Sequence, residues 1–175
     1  YLQTLHVIAY NYFLTDPARV HFGEAEVWMA ITPLYHVHGW GAPFHNVFAA
    51  NKLVLPGTFT VEGFCELVQT EKVTSTSVVP TVLAMIVEYP EIHKYDLSSL
   101  KGLGVGGGAL PLGLKKKAEK IIPGFKARSG YGMTETAPSA IRAFVKKNMV
   151  DWPEEKLDEI RVKTGLPVPG LEVMI

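Results

Sequence analysis

Short β-rich runs alternate with amphipathic stretches along most of this sequence, and that alternation restricts the fold more than any other feature. Residues 52–55 read as a short strand closed by Pro56-Gly57. Thr60 then stands as a candidate N-cap for a helix with Val61, Phe64, Leu67 and Val68 on one face and Cys65 beside the stripe. Residues 76–79 read as a buried strand broken by Pro80, and residues 82–87 as a short apolar helix ended by Pro90. Residues 102–105 read as a strand running into three glycines. Leu114, Ala118 and Ile121 make the next helical stripe, with Lys115, Lys116 and Lys117 expected on its wet side, and residues 125–128 make the next strand. Strands spaced by helices in this way form βα units, so the expected fold is α/β with a mostly parallel sheet flanked by helices.

The flanking regions extend the same pattern. Leu2, Leu5, Val7, Ile8, Tyr12 and Phe13 recur at helical spacing until Asp16-Pro17 ends the run. Residues 27–34 read as a strand stopping near Pro33, and residues 39–50 as a buried helix. Asp151 and Glu154 are spaced as a capping box ahead of Leu157 and Ile160, and residues 171–175 read as a final strand. The sequence starts inside a helical stripe and stops inside a strand. Residues 1–175 are therefore expected to be a single partial domain, cut from a longer chain.

Charge and composition exclude some partners. Seventeen basic and 17 acidic residues balance, which leaves no electrostatic footprint for nucleic acid or an anionic membrane. No apolar run approaches the ~18 residues of a membrane span. The opening residues lack the basic start and small-residue cleavage site of a signal peptide. The single cysteine, Cys65, cannot close an internal disulfide, which fits a cytoplasmic setting.

In a sheet of this kind ligands collect where strands run into loops at their carboxyl ends. Three such loops carry chemistry. The last reads Ser129-Gly130-Tyr131-Gly132-Met133-Thr134-Glu135-Thr136, with an aromatic ring bracketed by glycines and a hydroxyl beside a carboxylate. The small neighbours leave the ring face free for stacking, and the oxygen pair suits Mg²⁺ and a phosphate. An ordinary surface turn with an exposed Glu has the same composition. The middle loop, Gly104-Val105-Gly106-Gly107-Gly108-Ala109-Leu110-Pro111, formally matches a dinucleotide fingerprint at Gly104, Gly106 and Ala109. The next strand, however, ends Lys126-Ala127-Arg128-Ser129 and offers no carboxylate for a ribose, which disfavours a nicotinamide-dependent oxidoreductase. Its glycines indicate close approach of backbone to a ligand or simply tight packing. The first loop, Thr32-Pro33-Leu34-Tyr35-His36-Val37-His38-Gly39-Trp40, holds two histidines, with His45 beyond, but no cysteine or carboxylate at metal-ligand spacing. No Gly-x-Ser-x-Gly elbow occurs, so hydrolase chemistry has no nucleophile.

Together these loops resemble the adenylate-forming superfamily of acyl-CoA synthetases, luciferases and peptide-synthetase adenylation domains. The segment from Pro33 to Trp40 is similar to the family's Pro-x-Phe-His-Val motif, and Gly106 to Pro111 to its Gly-Gly-x-x-x-Pro loop. Tyr131-Gly132-Met133-Thr134-Glu135-Thr136 resembles its Tyr-Gly-x-Thr-Glu-Thr signature, and Gly165-Leu166-Pro167-Val168-Pro169-Gly170 its later Gly-x-Pro-x-Pro-Gly turn. The four stand in the family's order and span almost the whole chain. Trp40, the turn Val79-Pro80-Thr81 and the stretch 144–165 are similar to medium- and long-chain fatty acyl-CoA synthetases. Two departures stand out: Ser129 replaces the frequent Gln or Asn near the adenine, and Tyr35 replaces the usual Phe.

The resemblance implies an ATP-dependent acid–thiol ligase that forms an acyl-adenylate and passes the acyl group to CoA. Its substrates would be ATP, CoA and a carboxylic acid, with Mg²⁺ as cofactor, and it admits a homodimer of the full-length protein. Ser129, Gly130, Tyr131, Gly132 and Met133 would border the nucleotide. Within that set Tyr131 would stack on adenine, with Gly107, Gly108 and Ala109 as the opposite wall. Thr134 would hold a phosphate oxygen and Glu135 the metal. His36 and Val37 would border the α-phosphate and the carboxylate. Trp40 would gate the acyl tunnel, or serve as a plain core residue, and Val79, Pro80 and Thr81 would line the tunnel. The catalytic set is thus His36, Thr134 and Glu135. The family's phosphate loop is expected upstream of Tyr1 and its small C-terminal domain downstream of Ile175, so the chain by itself is expected to be inactive. An aryl-acid or amino-acid adenylation domain, and a non-catalytic nucleotide-binding module, are the alternatives.

Overall fold

The computed structural model describes residues 26–36, 41, 43–44, 46–47, 50–136, 139–168 and 171–174. Among them a seven-stranded sheet runs in the order β2-β1-β3-β4-β5-β6-β7. The strands are β1 (Val27–Met29), β2 (Lys52–Val54), β3 (Ser75–Val78), β4 (Gly102–Val105), β5 (Lys126–Gly132), β6 (Ser139–Arg142) and β7 (Leu166–Pro167). The first five in chain order pair in parallel, and β6 and β7 add antiparallel on the β5 side. Helices α1 (Val61–Glu71), α2 (Pro80–Val87), α3 (Leu112–Ile121) and α4 (Glu154–Val162) flank it.

The strands are where the β-rich runs predicted them because they are covered on both sides. In β3 Ser75, Thr76 and Val78 are all buried, and in β4 Gly102, Leu103 and Val105. Met29, Val54, Leu103, Val105 and Ala127 from the sheet meet Phe64, Cys65 and Val68 of α1, Leu83 and Ile86 of α2 and Ala118 of α3 in one core. Thr60 caps α1 as expected: its hydroxyl accepts from the Gly63 N–H at 3.0 Å. Replacing it, Thr60→Ala, should cost about 1 kcal/mol, since an N-terminal amide loses its acceptor. Urea denaturation of the full-length protein measures this, and an unchanged midpoint would count against the cap. Pro80 starts α2 two residues ahead of the predicted onset, because a proline at the first helical position loses no internal hydrogen bond.

Five expectations need correction. First, β1 ends at Met29 and not near Pro33; beyond it the Thr32 hydroxyl donates to the Ser77 carbonyl at 3.5 Å, and a turn closes from the His36 N–H to the Pro33 carbonyl at 2.9 Å. Second, the helix expected over residues 39–50 is helical at Gly41, Pro43, Phe44, Asn46 and Val47, but Phe44 and Val47 are exposed. Third, the last strand is Leu166–Pro167, while residues 171–174 are irregular. Fourth, the capping box at Asp151 is not formed: Pro153 occupies the cap position, and Glu154 pairs with Lys126 and Arg161 instead.

The fifth is the largest. Lys115 does not lie on the wet side of α3 but is fully buried. Its ammonium pairs with Asp158 of α4 and, at 2.7 Å, with Glu119. Once α4 packs over α3, the outer face of that helix becomes an interface, which helical periodicity within α3 does not reveal. The helical stripe expected over residues 2–13 lies outside the described residues.

Candidate functional site

The sheet places the motif loops side by side. β1, β3, β4 and β5 are consecutive neighbours and parallel, so the segments after Met29, Val78 and Val105, together with the end of β5, emerge at one edge. The turn at 33–36 leaves Tyr35 and His36 exposed, their rings tilted at 49° with centroids 4.8 Å apart. Val37 and Trp40, and the further histidines His38 and His45, lie outside the described residues.

The segments after β3 and β4 touch each other directly. Val79 caps α2, its carbonyl accepting from the Val82 and Leu83 N–H groups at 3.1 Å each. The Gly106 N–H donates to the Val78 carbonyl at 3.1 Å and brings the glycine loop over this turn. A Cβ on Gly107 would lie 3.1 Å from Val79 Cγ1, and one on Gly108 would lie 3.4 Å from Pro80 Cγ. Gly107 also has a φ of +76°, a conformation that favours glycine. The close approach to Val79 and the left-handed backbone thus account for Gly107, while Gly108 lies against Pro80 at ordinary contact distance. This approach joins the predicted acyl-pocket turn (Val79, Pro80 and the exposed Thr81) to the predicted nucleotide wall (Gly107, Gly108 and Ala109). No feature of the sequence announced this contact, because its partners lie in different βα units.

β5 differs from the expected loop. It continues as a strand through Gly132, pairing antiparallel with β6, with a register shift between Tyr131 and Gly132 that leaves Ala140 of β6 as the extra residue. Tyr131 is 48% exposed, at the sheet's carboxyl edge. Ser129 is buried, opposite Val105 in register, and its carbonyl accepts from the Ala143 N–H at 3.1 Å. Gly130 lets β6 close in: a Cβ there would lie 3.4 Å from the Ile141 carbonyl oxygen. Beyond the half-exposed Met133, residues Thr134–Thr136 form a tight turn. Its closure falls to Thr136, whose hydroxyl accepts from the Met133 N–H at 3.1 Å and donates to the Met133 carbonyl at 3.0 Å. Thr134 and Glu135 are exposed and, among the described residues, make no hydrogen bond or ion pair. A free carboxylate beside a free hydroxyl is a donor set that fits Mg²⁺.

Two other features compete for attention. Glu119, Glu154 and Asp158 bring carboxylate oxygens within 4.8 Å of one another, as a metal centre would. Three cations already interleave them. Lys115 holds Glu119 and Asp158, Lys126 holds Glu154 with Glu119 at 3.7 Å, and Arg161 holds Glu154 at 2.7 Å and Asp158 at 3.2 Å. This is a charge-balanced network. Separately, Cys65 is buried, and burial first, then the neighbouring Glu66 charge, pushes its thiol up to about 11. It is no nucleophile at neutral pH.

Comparison with known proteins agrees with this arrangement. The chain is similar to a long-chain-fatty-acid–CoA ligase of Thermus thermophilus, 37% identical over 153 residues that are 87% of this chain and 28% of the relative. It is also similar to 4-coumarate–CoA ligase-like 9 of Arabidopsis thaliana, 32% identical over 69% of this chain and 21% of that protein. Among solved structures, O-succinylbenzoate coenzyme A synthetase of Bacillus subtilis, in complex with ATP and magnesium ion, superposes with a TM-score of 0.70 at 25% identity, over 95% of this chain and 31% of that one. The chain therefore spans about a quarter of the length of the relatives it matches. The pattern that defines AMP-binding enzymes matches from residue 3 to residue 175, and with its motif segments gathered at one sheet edge this chain belongs to the AMP-binding enzyme family.

Proposed function

We propose that the protein of which this chain is a part is an ATP-dependent acyl-CoA ligase that activates a fatty acid. The observation that carries the reading is the close approach of the Gly106–Gly108 loop to the turn at Val78–Pro80, which sets an acyl-lining turn beside a nucleotide wall at the edge where Tyr131, Thr134 and Glu135 emerge. In the first step a carboxylate oxygen attacks the α-phosphorus of ATP and the bond to pyrophosphate breaks. In the second the CoA thiolate attacks the acyl carbonyl and AMP leaves.

The residues bind and orient. Tyr131 offers a half-exposed ring to adenine, with Gly107 to Ala109 as the facing wall. Thr134 donates its hydroxyl to a phosphate oxygen, and His36 stands at the α-phosphate and carboxylate, with Val37 beside it. Trp40 gates the acyl tunnel, and Val79, Pro80 and Thr81 line it. Glu135 would hold Mg²⁺, and the ion would supply charge compensation for the phosphates. Catalysis here is positioning and charge compensation, without a protein nucleophile. A cytoplasmic location and a homodimer of the full-length protein complete the reading. No helix among the described residues is long and apolar enough to cross a membrane.

Carboxylate-dependent ATP–pyrophosphate exchange by the full-length protein tests the substrate. Medium- and long-chain fatty acids should support exchange at least about tenfold faster than benzoate or 4-coumarate, the discrimination expected from a few methylenes in an apolar pocket. Exchange with aromatic acids alone would transfer the protein to the aryl-acid ligases, a reading favoured by its similarity to the coumarate enzyme. A folded, ATP-binding protein that exchanges with no acid would be a nucleotide-binding module.

A further inference from the structure

The Gly165 turn has no part in the chemistry above, yet the backbone of another segment approaches it very closely. A Cβ on Gly165 would lie 1.8 Å from the Arg142 carbonyl oxygen and 2.4 Å from the Ala143 nitrogen, and its φ of +106° is one that side-chain-bearing residues rarely adopt. No flexible side chain can yield there, since the atoms met are all backbone, of Arg142 at the end of β6 and of Ala143 just beyond it. Gly165 thereby lets Leu166 and Pro167 pair with Arg142 and Ile141. Val168 follows, buried at 1% exposure, and its N–H donates to the Ala140 carbonyl at 2.9 Å. Pro167 lacks a donor, which suits an outermost strand.

The register carries this anchor to the nucleotide edge. Pro167 pairs with Ile141, and Ile141 pairs with Tyr131, so the three stand in one row across the sheet. Arg142 likewise links Leu166 to Gly130. The row meets β5 at Tyr131, beside the register shift at which Ala140 of β6 stands as the extra residue. β5 has regular parallel support from β4 only as far as Ser129, so among the described residues the strand pairing of Tyr131 and Gly132 is with β6.

We propose that Gly165 is a positioning residue for nucleotide binding, acting through β7 and β6 on the ring of Tyr131. The proposal rests on the reading of Tyr131 as the adenine platform. A shift of about 1 Å far from the reacting atoms can change rates by up to about 100-fold, so the close fit of Gly165 is enough to matter.

The test is a double-mutant cycle in the full-length protein, with Mg²⁺-ATP as probe and equilibrium dialysis as readout. Gly165→Ala should weaken ATP binding about tenfold while the KM for the acid changes less than about twofold, and the same substitution should add nothing in a Tyr131→Ala background. A merely structural role would give additive losses, or would move the ATP and acid constants together, and either result overturns the proposal. If Gly165→Ala does not yield folded protein, Val168→Ala loosens the same anchor without backbone strain, and the cycle applies with the same expected and contrary outcomes. Should Tyr131→Ala leave ATP binding intact, the platform reading falls and the proposal with it. Loss in Tyr131→Ala with an additive Gly165→Ala sinks the proposal alone.

Discussion

Glu135→Ala in the full-length protein is expected to slow ATP–pyrophosphate exchange by on the order of 100- to 1000-fold, the range seen when one preorganised partner of transition-state charge is removed. The effect should fall on turnover more than on ATP affinity, because the charge that the Glu135-held metal meets develops as pyrophosphate leaves. Folding should not change: Glu135 is exposed and makes no interaction among the described residues. Thermal denaturation beside the exchange assay separates the two effects. An unchanged melting temperature with a large loss of exchange supports the metal-holding role. Glu135→Gln, which keeps the volume and removes the charge, should lose nearly as much. A loss below about threefold in both variants would leave the carboxylate outside the transition state.

The second large effect concerns stability. Lys115→Ala should destabilise the protein by about 3–5 kcal/mol, because it removes a fully buried ammonium and leaves Asp158 and Glu119 facing each other without the cation they share, Asp158 keeping only Arg161. Asp158 is itself buried, so water cannot substitute. The double substitution Lys115→Met with Asp158→Leu should recover most of the loss, since no unpaired charge remains and Arg161 keeps Glu154. Urea denaturation checks both. A small loss in the single variant, or no recovery in the double one, would show that the ammonium is not desolvated as described. The pH dependence follows from Glu154. Its hydrogen bond to Lys126 first, and that to Arg161 next, hold its carboxyl below the ordinary value of 4.5. A depressed carboxyl stabilises the fold above its ordinary pKa, and that contribution is lost as pH falls through the lowered value. Partial exposure of Glu154 makes its share salt-sensitive.

How far the sequence could be read varied by element for physical reasons. β4 was legible to the residue, from 102 to 105, because a glycine-bounded apolar run leaves no other register. The Thr60 cap was legible because capping is a contact across three residues. Lys115 was misplaced because its burial depends on α4, whose Asp158 lies 43 positions away. The Asp151 capping box failed because Pro153 sets the start of α4, and Glu154 was drawn to a cation on β5. At the candidate site the motif residues were found by their local pattern, but the loop expected at Gly130 is strand as far as Gly132, a difference made by pairing with β6.

By itself the sequence determined the α/β class, the parallel succession of strands and the family, because periodicity, turn chemistry and short motifs are local properties. Only the tertiary structure decided that Gly107 and Gly108 rest on Val79 and Pro80, that Lys115 is buried among carboxylates, and that Gly165 stands at the end of a row reaching Tyr131. Those relations join residues tens of positions apart, and their energies come from desolvation, backbone approach and sheet register, none of which exists until the elements pack.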